Sequence, residues 1–256
     1  MAITRTARCL FNFGILTRLT LINRNSKDMK NDASYSAFIF DMDGTLVDNM
    51  RIHNRIWSNL LAQKGVIISE DEFHRKTTGK TTPEILRMLF GSQMSEEEIV
   101  QFAEHKEEIY RKDFRPFLQP VPGAEVFLAG ARRLGVAIGL ATSAGKKNIE
   151  YVLTGTLLSG YFDAVVSGED VRRGKPDPDI FLLAAQKLNV PTRQCLVFED
   201  SPLGIEAARL AGMRAVAITT TIPANEFVKI ENVIGVVKDF TEVEASRFAR
   251  QCLNCR

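Results

Sequence analysis

Two aspartates, Asp41 and Asp43, directly follow an apolar run in the segment FIFDMDGTLVD at 38–48. Aromatic and β-branched residues favour a buried strand, and Gly44 permits a tight turn just beyond it. Asp41 would then lie at the carboxyl end of a strand, where open parallel sheets bind ligands. The pair of carboxylates therefore predicts a reactive acidic site. Asp and Gly also form ordinary turns, so further segments must decide between the two interpretations.

Three later segments repeat this pattern of polar side chains after an apolar run. Thr142 and Ser143 follow the run GLA, and Glu199 and Asp200 follow the run CLVF. Lys175 lies in the segment RGKPDPD, in the loop before a helix start that the Asp-Pro pair indicates. Each segment alone is also typical of an ordinary turn or surface loop. Their value lies in their occurring together and in this order.

The elements that must position these residues alternate between strand and helix patterns, which predicts a parallel sheet covered by helices on both faces. The expected strands are 38–40, 136–141, 164–166, 195–198, 215–218 and 233–237. About 95 mostly helical residues separate the first two strands, far more than a simple crossover needs. We expect a doubly wound, Rossmann-like α/β fold with an inserted helical cap.

The predicted organisation has four parts. A basic leader covers 1–35, a catalytic core covers 36–48 and 119–245, a helical cap covers 49–118, and a tail covers 246–256. Within the cap, Trp57 lies on the apolar face of a helix that Gly65 ends, and Ser95 with Glu98 forms a capping-box pattern before a second helix.

Composition and charge exclude several classes of protein. The chain has 256 residues, of which 45% are hydrophobic and 25% are charged, as expected for a globular protein with a substantial core. No apolar stretch approaches the roughly 18 residues that a membrane span needs. Residues 1–30 hold six Lys or Arg and one acid, whereas the remainder holds 27 basic and 30 acidic residues. A mildly acidic body argues against nucleic-acid binding, which requires a clustered basic surface.

The basic leader has two interpretations. Its composition, with no acid before Asp28, resembles an organellar transit peptide, but Met29 is an equally good start for a working protein without it. We expect a cytoplasmic location, with an organelle as the alternative. Four scattered cysteines do not form a disulfide framework, which fits a reducing compartment. Cys195 is expected to be a small buried hydrophobic residue.

The four segments, in this order, resemble the haloacid dehalogenase superfamily over most of 37–240. The cap between the first two resembles the small helical type of the beta-phosphoglucomutase-like phosphatases and mutases. This resemblance implies that Asp41 is a nucleophile that forms an aspartyl-phosphate and that Asp43 is the acid and base. It implies Mg²⁺ as the cofactor, with phosphoryl oxygens held by Thr142 and Lys175. The implied metal ligands are Asp41, Asp43, Glu199 and Asp200.

The resemblance also indicates which reaction to expect. True dehalogenases lack the second acid, so Asp43 together with Asp200 argues against that activity. A mutase would carry an arginine at Thr82 to grip a second phosphate bidentately, and it would carry Thr or Ser at Asn49. His53 and Lys106 do match that pattern. The expected substrate-binding residues are Ser143, Gly79, Lys80, His53 and Lys106.

The sequence therefore predicts a Mg²⁺-dependent phosphatase acting on a small phosphorylated metabolite, with a sugar phosphate favoured. The alternative is intramolecular phosphate transfer of the beta-phosphoglucomutase kind. A second alternative is a non-catalytic scaffold that binds a phosphorylated ligand without turnover. The oligomeric state stays open, with a monomer favoured.

Overall fold

The computed structural model describes residues 34–77 and 80–249. Most of the expected leader and most of the expected tail lie outside these ranges, and so does Gly79. The other cysteines, Cys9, Cys252 and Cys255, lie outside them as well. The predicted cytoplasmic location and its organellar alternative stay predictions. Among the described residues, no helix is long and apolar enough to cross a membrane.

The described residues form one six-stranded parallel sheet in the order β3-β2-β1-β4-β5-β6. The strands are β1 (Ala37–Phe40), β2 (Ala137–Ala141), β3 (Ala164–Val166), β4 (Cys195–Glu199), β5 (Arg214–Ile218) and β6 (Val233–Val237). All six strands expected from the sequence are present, with ends that differ by at most one residue. This confirms the predicted doubly wound α/β fold.

The central strands β1 and β4 are buried along their whole length. Both faces of a parallel sheet are covered by helices, so such strands read as continuous apolar runs rather than alternating ones. Phe40 aligns with Leu140 of β2 on one side and with Phe198 of β4 on the other. The residues that follow β1, β2 and β4 therefore meet at one edge of the sheet, on either side of the point where the strand order reverses.

Helices cover the sheet on both faces. Helices α5 (Ala124–Arg133) and α6 (Lys146–Gly155) contribute to one apolar cluster, whereas α7 (Asp179–Lys187) and α8 (Pro202–Leu210) contribute to the other. The first cluster contains most of the large aromatic side chains of the sheet layer, and in it Phe40 stacks on Phe198 with ring centroids 4.7 Å apart. Small side chains dominate the second, so α7 and α8 pack close to the strands.

Four further helices lie between β1 and β2: α1 (Met50–Gln63), α2 (Glu70–Thr77), α3 (Thr82–Phe90) and α4 (Glu96–Phe114). They enclose an apolar cluster of their own that includes Trp57, Phe73 and Leu86. The expected capping box of Ser95 and Glu98 begins α4. A second capping box at the start of α3, in which Thr81 pairs with Glu84, was not anticipated from the sequence.

Cys195 begins β4 and is completely buried. Burial raises the pKa of its thiol to about 12, because the interior disfavours the charged thiolate. The thiol is therefore protonated and packs as a small apolar side chain. This is the role expected from its position at the start of an apolar run.

Candidate active site

Asp41 is the first residue after β1, and it is almost fully buried at the edge where β1, β2 and β4 end. Its backbone N–H donates to the carbonyl of Phe198 at 3.0 Å, which extends the pairing of β1 with β4 by one residue. This bond holds the aspartate beside the end of β4. The side chain is therefore placed by the two most buried strands of the sheet.

Lys175 reaches the same point from the loop before α7. Its buried Nζ lies 2.6 Å from Oδ1 of Asp41 and 2.7 Å from Oε2 of Glu199. Burial lowers the pKa of the ammonium, but the two carboxylates more than compensate and raise it above the ordinary lysine value. Lys175 is therefore charged and is held by two acids that come from different strands.

Glu199 ends β4, Asp200 follows it, and the two complete an acidic cluster with Asp41. One oxygen from each of the three buried carboxylates lies within 4.8 Å of the others. The Glu199 carboxylate also accepts a hydrogen bond at 2.7 Å from the hydroxyl of Ser201, the residue that caps α8. Burial raises the pKa values of Asp41 and Asp200, and the neighbouring Glu199 carboxylate raises both further.

This cluster fits a divalent cation. Three carboxylates share one ammonium group, which leaves two negative charges without compensation inside the protein if all three acids are ionised. A buried charge without a partner is costly, and hard oxygen ligands of this kind are those that Mg²⁺ prefers. Asp41, Glu199 and Asp200 are therefore suited to hold the ion.

The turn after β1 packs directly against the cluster. Gly44 has a φ of +82°, and a Cβ placed on it would lie 2.0 Å from Oδ2 of Asp200. Both the left-handed backbone and the close approach require glycine here. The hydroxyl of Thr45 donates to Oδ1 of Asp200 at 3.4 Å. The turn that contains Gly44 and Thr45 therefore packs directly against the carboxylate of Asp200.

Asn49 orients the carboxyl group of Asp43. In the sequence, Asn49 was notable only as a departure from the mutase pattern. Nδ2 of Asn49 donates to Oδ1 of Asp43 at 2.6 Å and to the hydroxyl of Tyr110 at 2.7 Å. Burial raises the pKa of Asp43 to about 6, and the hydrogen bond from Asn49 limits the rise. A carboxyl group with this pKa can both donate and accept a proton near neutral pH.

Thr142 and Ser143 follow β2 at the same edge of the sheet. The backbone N–H of Thr142 donates to the carbonyl of Val166 at 3.1 Å, and its side-chain oxygen accepts from the N–H of Ala144 at 3.1 Å. Thr142 is buried, whereas Ser143 is half-buried. Both residues line the cavity that also contains Asp41 and Asp43.

This cavity has a volume of about 890 Å³ and lies between the sheet edge and the inserted helices. Helices α1 and α4 place His53 and Lys106 in its wall, and Lys80 lines it from the loop before α3. Nζ of Lys106 lies 2.9 Å from Nδ1 of His53, and the His53 ring stacks on Tyr110 with centroids 4.1 Å apart. Burial and the Lys106 charge lower the pKa of His53 to about 3, so the imidazole is neutral. His53 is therefore both buried and in the cavity wall.

The structure thus brings every described member of the predicted site to one cavity. A family model described as a haloacid dehalogenase-like hydrolase matches residues 38–218, which is more than half of the chain. The chain is a haloacid dehalogenase-like hydrolase.

Relatives of this hydrolase agree with the match. It is 34% identical to a fructose-1-phosphate phosphatase of Escherichia coli over 72% of this chain and 96% of that protein. It is 33% identical to a phosphorylated carbohydrates phosphatase of Thermotoga maritima over 70% of this chain and 83% of that protein. The chain is a phosphoric monoester hydrolase of the haloacid dehalogenase superfamily.

The structure of this hydrolase is also similar to a crystal structure of beta-phosphoglucomutase from Clostridium difficile. The TM-score is 0.72 at 30% sequence identity, covering 83% of this chain and 94% of that chain. The six-stranded parallel sheet and its flanking helices are therefore those of the beta-phosphoglucomutase-like structures.

Glu107 and Asn148 line the hydrolase cavity and are among the residues that the sequence did not indicate. The carboxylate of Glu107 accepts from Nζ of Lys106 at 2.9 Å and from Nδ2 of Asn148 at 2.7 Å. Glu107 comes from α4 and Asn148 from the start of α6, so this contact joins the inserted helices to the sheet layer. The available signal was the position of Glu107 beside Lys106. The contact with Asn148 has no local signal in the sequence.

Proposed function

We propose that this chain is a Mg²⁺-dependent phosphatase that hydrolyses a small phosphorylated metabolite, a sugar phosphate, through an aspartyl-phosphate on Asp41. The observation that carries the proposal is the convergence of Asp41, Lys175 and Asp200, which are remote in sequence, at one edge of the sheet. The named activities of the two relatives support the choice of a phosphorylated carbohydrate.

In the first half of the reaction, an Oδ atom of Asp41 attacks the phosphorus atom and forms the new P–O bond. The bond between phosphorus and the ester oxygen of the substrate breaks at the same time. Asp43 gives its proton to that leaving oxygen, so the product leaves as an alcohol. The pKa of about 6 for Asp43 supports this role, because the carboxyl group is partly protonated near neutral pH.

In the second half, Asp43 takes a proton from a water molecule, whose oxygen attacks the phosphorus atom of the aspartyl-phosphate. The P–O bond to Asp41 breaks, inorganic phosphate leaves, and both carboxyl groups return to their starting states. The same residue thus acts first as an acid and then as a base. The hydrogen bond from Asn49 at 2.6 Å would keep Asp43 in one orientation for both steps.

The charge of the phosphate opposes attack by a carboxylate, with a repulsion of about 4 kcal/mol per charge pair at ~4 Å and an effective dielectric constant of ~20. Asp41, Asp200 and the backbone carbonyl of Asp43 would hold Mg²⁺, with Glu199 assisting directly or through water. The ion supplies positive charge beside the reacting oxygens when it is bound. Lys175 and Thr142 would hold the phosphoryl oxygens, where charge develops in the transition state.

The inserted helices would act as a cap. In this proposal, residues 49–118 form a mobile unit over the core at 36–48 and 119–245, and closure excludes water and selects the substrate. Ser143, Gly79, Lys80, His53 and Lys106 are proposed to contact the substrate. Gly79 lies outside the described residues, whereas the other four line the cavity.

The proposal is tested by replacing the nucleophile. Asp41→Asn should reduce phosphate release from a panel of sugar phosphates by at least about a thousandfold, because an amide cannot form the aspartyl-phosphate. Asp48→Asn makes the same change on an exposed residue of the same loop and serves as the control. Full activity in Asp41→Asn, or no release by the unaltered protein with Mg²⁺, would refute the proposal.

Intramolecular phosphate transfer is the second candidate, and the similarity to the beta-phosphoglucomutase structure favours it. Against it, Thr82 stands where the mutase pattern expects an arginine, and its hydroxyl already donates to Glu107 at 2.7 Å. Conversion of glucose 1-phosphate to glucose 6-phosphate, measured beside phosphate release, separates the two reactions. Isomerisation faster than release would favour the mutase.

A further inference from the structure

Glu107 places a negative charge in the wall of the cavity. Its Oε1 accepts from Nζ of Lys106 at 2.9 Å and from the hydroxyl of Thr82 at 2.7 Å, while its Oε2 accepts from Asn148 at 2.7 Å. Burial raises the pKa of Glu107, but the Lys106 charge and the hydrogen bonds from Lys106 and Thr82 lower it to about 2. The carboxylate is therefore ionised at neutral pH.

Three cations of the cavity wall are already paired with acids of this chain. Lys106 pairs with Glu107 itself, whereas Lys147 and Arg111 lie 2.6 Å and 3.6 Å from Glu104, one turn earlier on α4. Both acids line the cavity. A phosphate group entering this region would have to displace a built-in carboxylate from its partner, and it would face that carboxylate at short range.

The same region is well suited to neutral hydroxyl groups. An ionised carboxylate accepts several hydrogen bonds, and the amide of Asn148 and the hydroxyl of Thr82 can each donate and accept. In the proposed mechanism, Lys175 and Thr142 hold the phosphoryl group at the sheet edge. The hydrogen-bonding groups around Glu107 are then available to the remaining part of the substrate.

We propose that Glu107 is a specificity-determining residue that restricts the substrate to monophosphates whose remaining part is uncharged and rich in hydroxyl groups, and that it excludes molecules with a second anionic group. This inference rests on the proposed phosphatase function and narrows its substrate class.

The test compares kcat/KM for substrates that differ in charge at the far end. The first pair is fructose 1-phosphate and fructose 1,6-bisphosphate, and the second is glucose 6-phosphate and 6-phosphogluconate. The unaltered enzyme should favour the member of each pair that has the phosphate as its single anionic group. Glu107→Gln keeps the size of the side chain and should reduce that preference about tenfold, mainly by lowering KM for the member with two anionic groups.

Two further variants distinguish the effect of the Glu107 charge from a general change in the structure of α4. Glu107→Asp keeps the charge and should retain the preference, whereas Glu108→Gln removes one charge from an exposed position on the same helix and should leave it unchanged. A preference of the unaltered enzyme for the substrates with two anionic groups would overturn the inference. This measurement does not depend on the folding of any variant. A preference that is the same in Glu107→Gln would overturn the inference as well. Absence of turnover with every substrate would instead contradict the proposed function.

Discussion

Lys175 joins two acids that lie at the ends of different strands. Its Nζ contacts Asp41 at 2.6 Å and Glu199 at 2.7 Å. Removing a partner from a buried ionic cluster is usually more damaging than removing the whole cluster, because a charge is left without compensation. When Asp41, Glu199 and Asp200 are all ionised, the site holds more negative charge than Lys175 can neutralise. We interpret this excess as a feature of a cation-binding site that stability alone would not favour.

Gly44 provides a residue-scale prediction. Gly44→Ala should destabilise the fold by about 1–3 kcal/mol through its positive φ, and should also weaken activation by Mg²⁺, because the new Cβ would displace Asp200. Gly135→Ala is the matched control, since Gly135 has a φ of +71° with no heavy atom within 4 Å of its Cβ position. The measurements are thermal unfolding and the Mg²⁺ concentration that gives half-maximal activity.

The two glycine variants separate backbone strain from contact with the metal-ligand candidate. Both should lose stability, but only Gly44→Ala should need more Mg²⁺. If both variants keep the same Mg²⁺ requirement, the turn after β1 does not position Asp200.

At the scale of elements, the inserted helices have an apolar cluster that is distinct from the two clusters against the sheet. Leu86→Ala should cost about 2–5 kcal/mol, because Leu86 is completely buried in this cluster. Met88→Ala on the same helix should change stability by less than about 1 kcal/mol, since Met88 is 44% exposed. Urea denaturation of both variants measures the difference.

The fluorescence of Trp57 reports unfolding of the inserted helices. Trp57 is the single tryptophan of the chain and lies in the same cluster as Leu86. In Leu86→Ala, the fluorescence transition of Trp57 should move to lower urea than the far-UV circular dichroism transition, which is dominated by all helices together. Coincident transitions would show that the cap does not unfold separately from the sheet layer.

The strands were predictable because burial on both faces leaves continuous apolar runs, and the residues after β1, β2 and β4 were predictable because parallel strands end at one edge. The Asp-Pro pair predicted Lys175 in the loop before α7, whereas its place in the site was implied only by the family resemblance. The contact of Glu107 with Asn148 was not predictable, because it depends on how α4 docks against α6. The bond from Asn49 to Asp43 likewise depends on the position of Tyr110, which lies 61 residues further along the chain.

At the scale of the whole molecule, cation binding should be coupled to folding. At neutral pH, Mg²⁺ at one hundred times its dissociation constant should stabilise the protein by about 2.7 kcal/mol, because the ion binds the folded state and not the unfolded chain. That gain corresponds to a rise in Tm of roughly 5–10 °C for a protein of this size. Chelation of the ion should reverse the rise and stop phosphate release.

Asp200→Asn tests whether this stabilisation arises at the proposed site. The variant should lose most of the Mg²⁺-dependent rise in Tm. Without Mg²⁺ it should be at least as stable as the unaltered protein, because burial disfavours the ionised form of Asp200 and raises its pKa. Asp239→Asn, remote from the cavity, is the control. A full rise in Tm for Asp200→Asn would place the bound ion elsewhere.

The buried thiol of Cys195 has a practical consequence. It lies under the helices at the start of the central strand β4, so an alkylating reagent reaches it only after that strand leaves the sheet. Once Cys9, Cys252 and Cys255 are replaced by serine, the rate of thiol modification reports opening of the central sheet. Alkylation of Cys195 would therefore measure how often β4, the strand that ends in Glu199, becomes exposed.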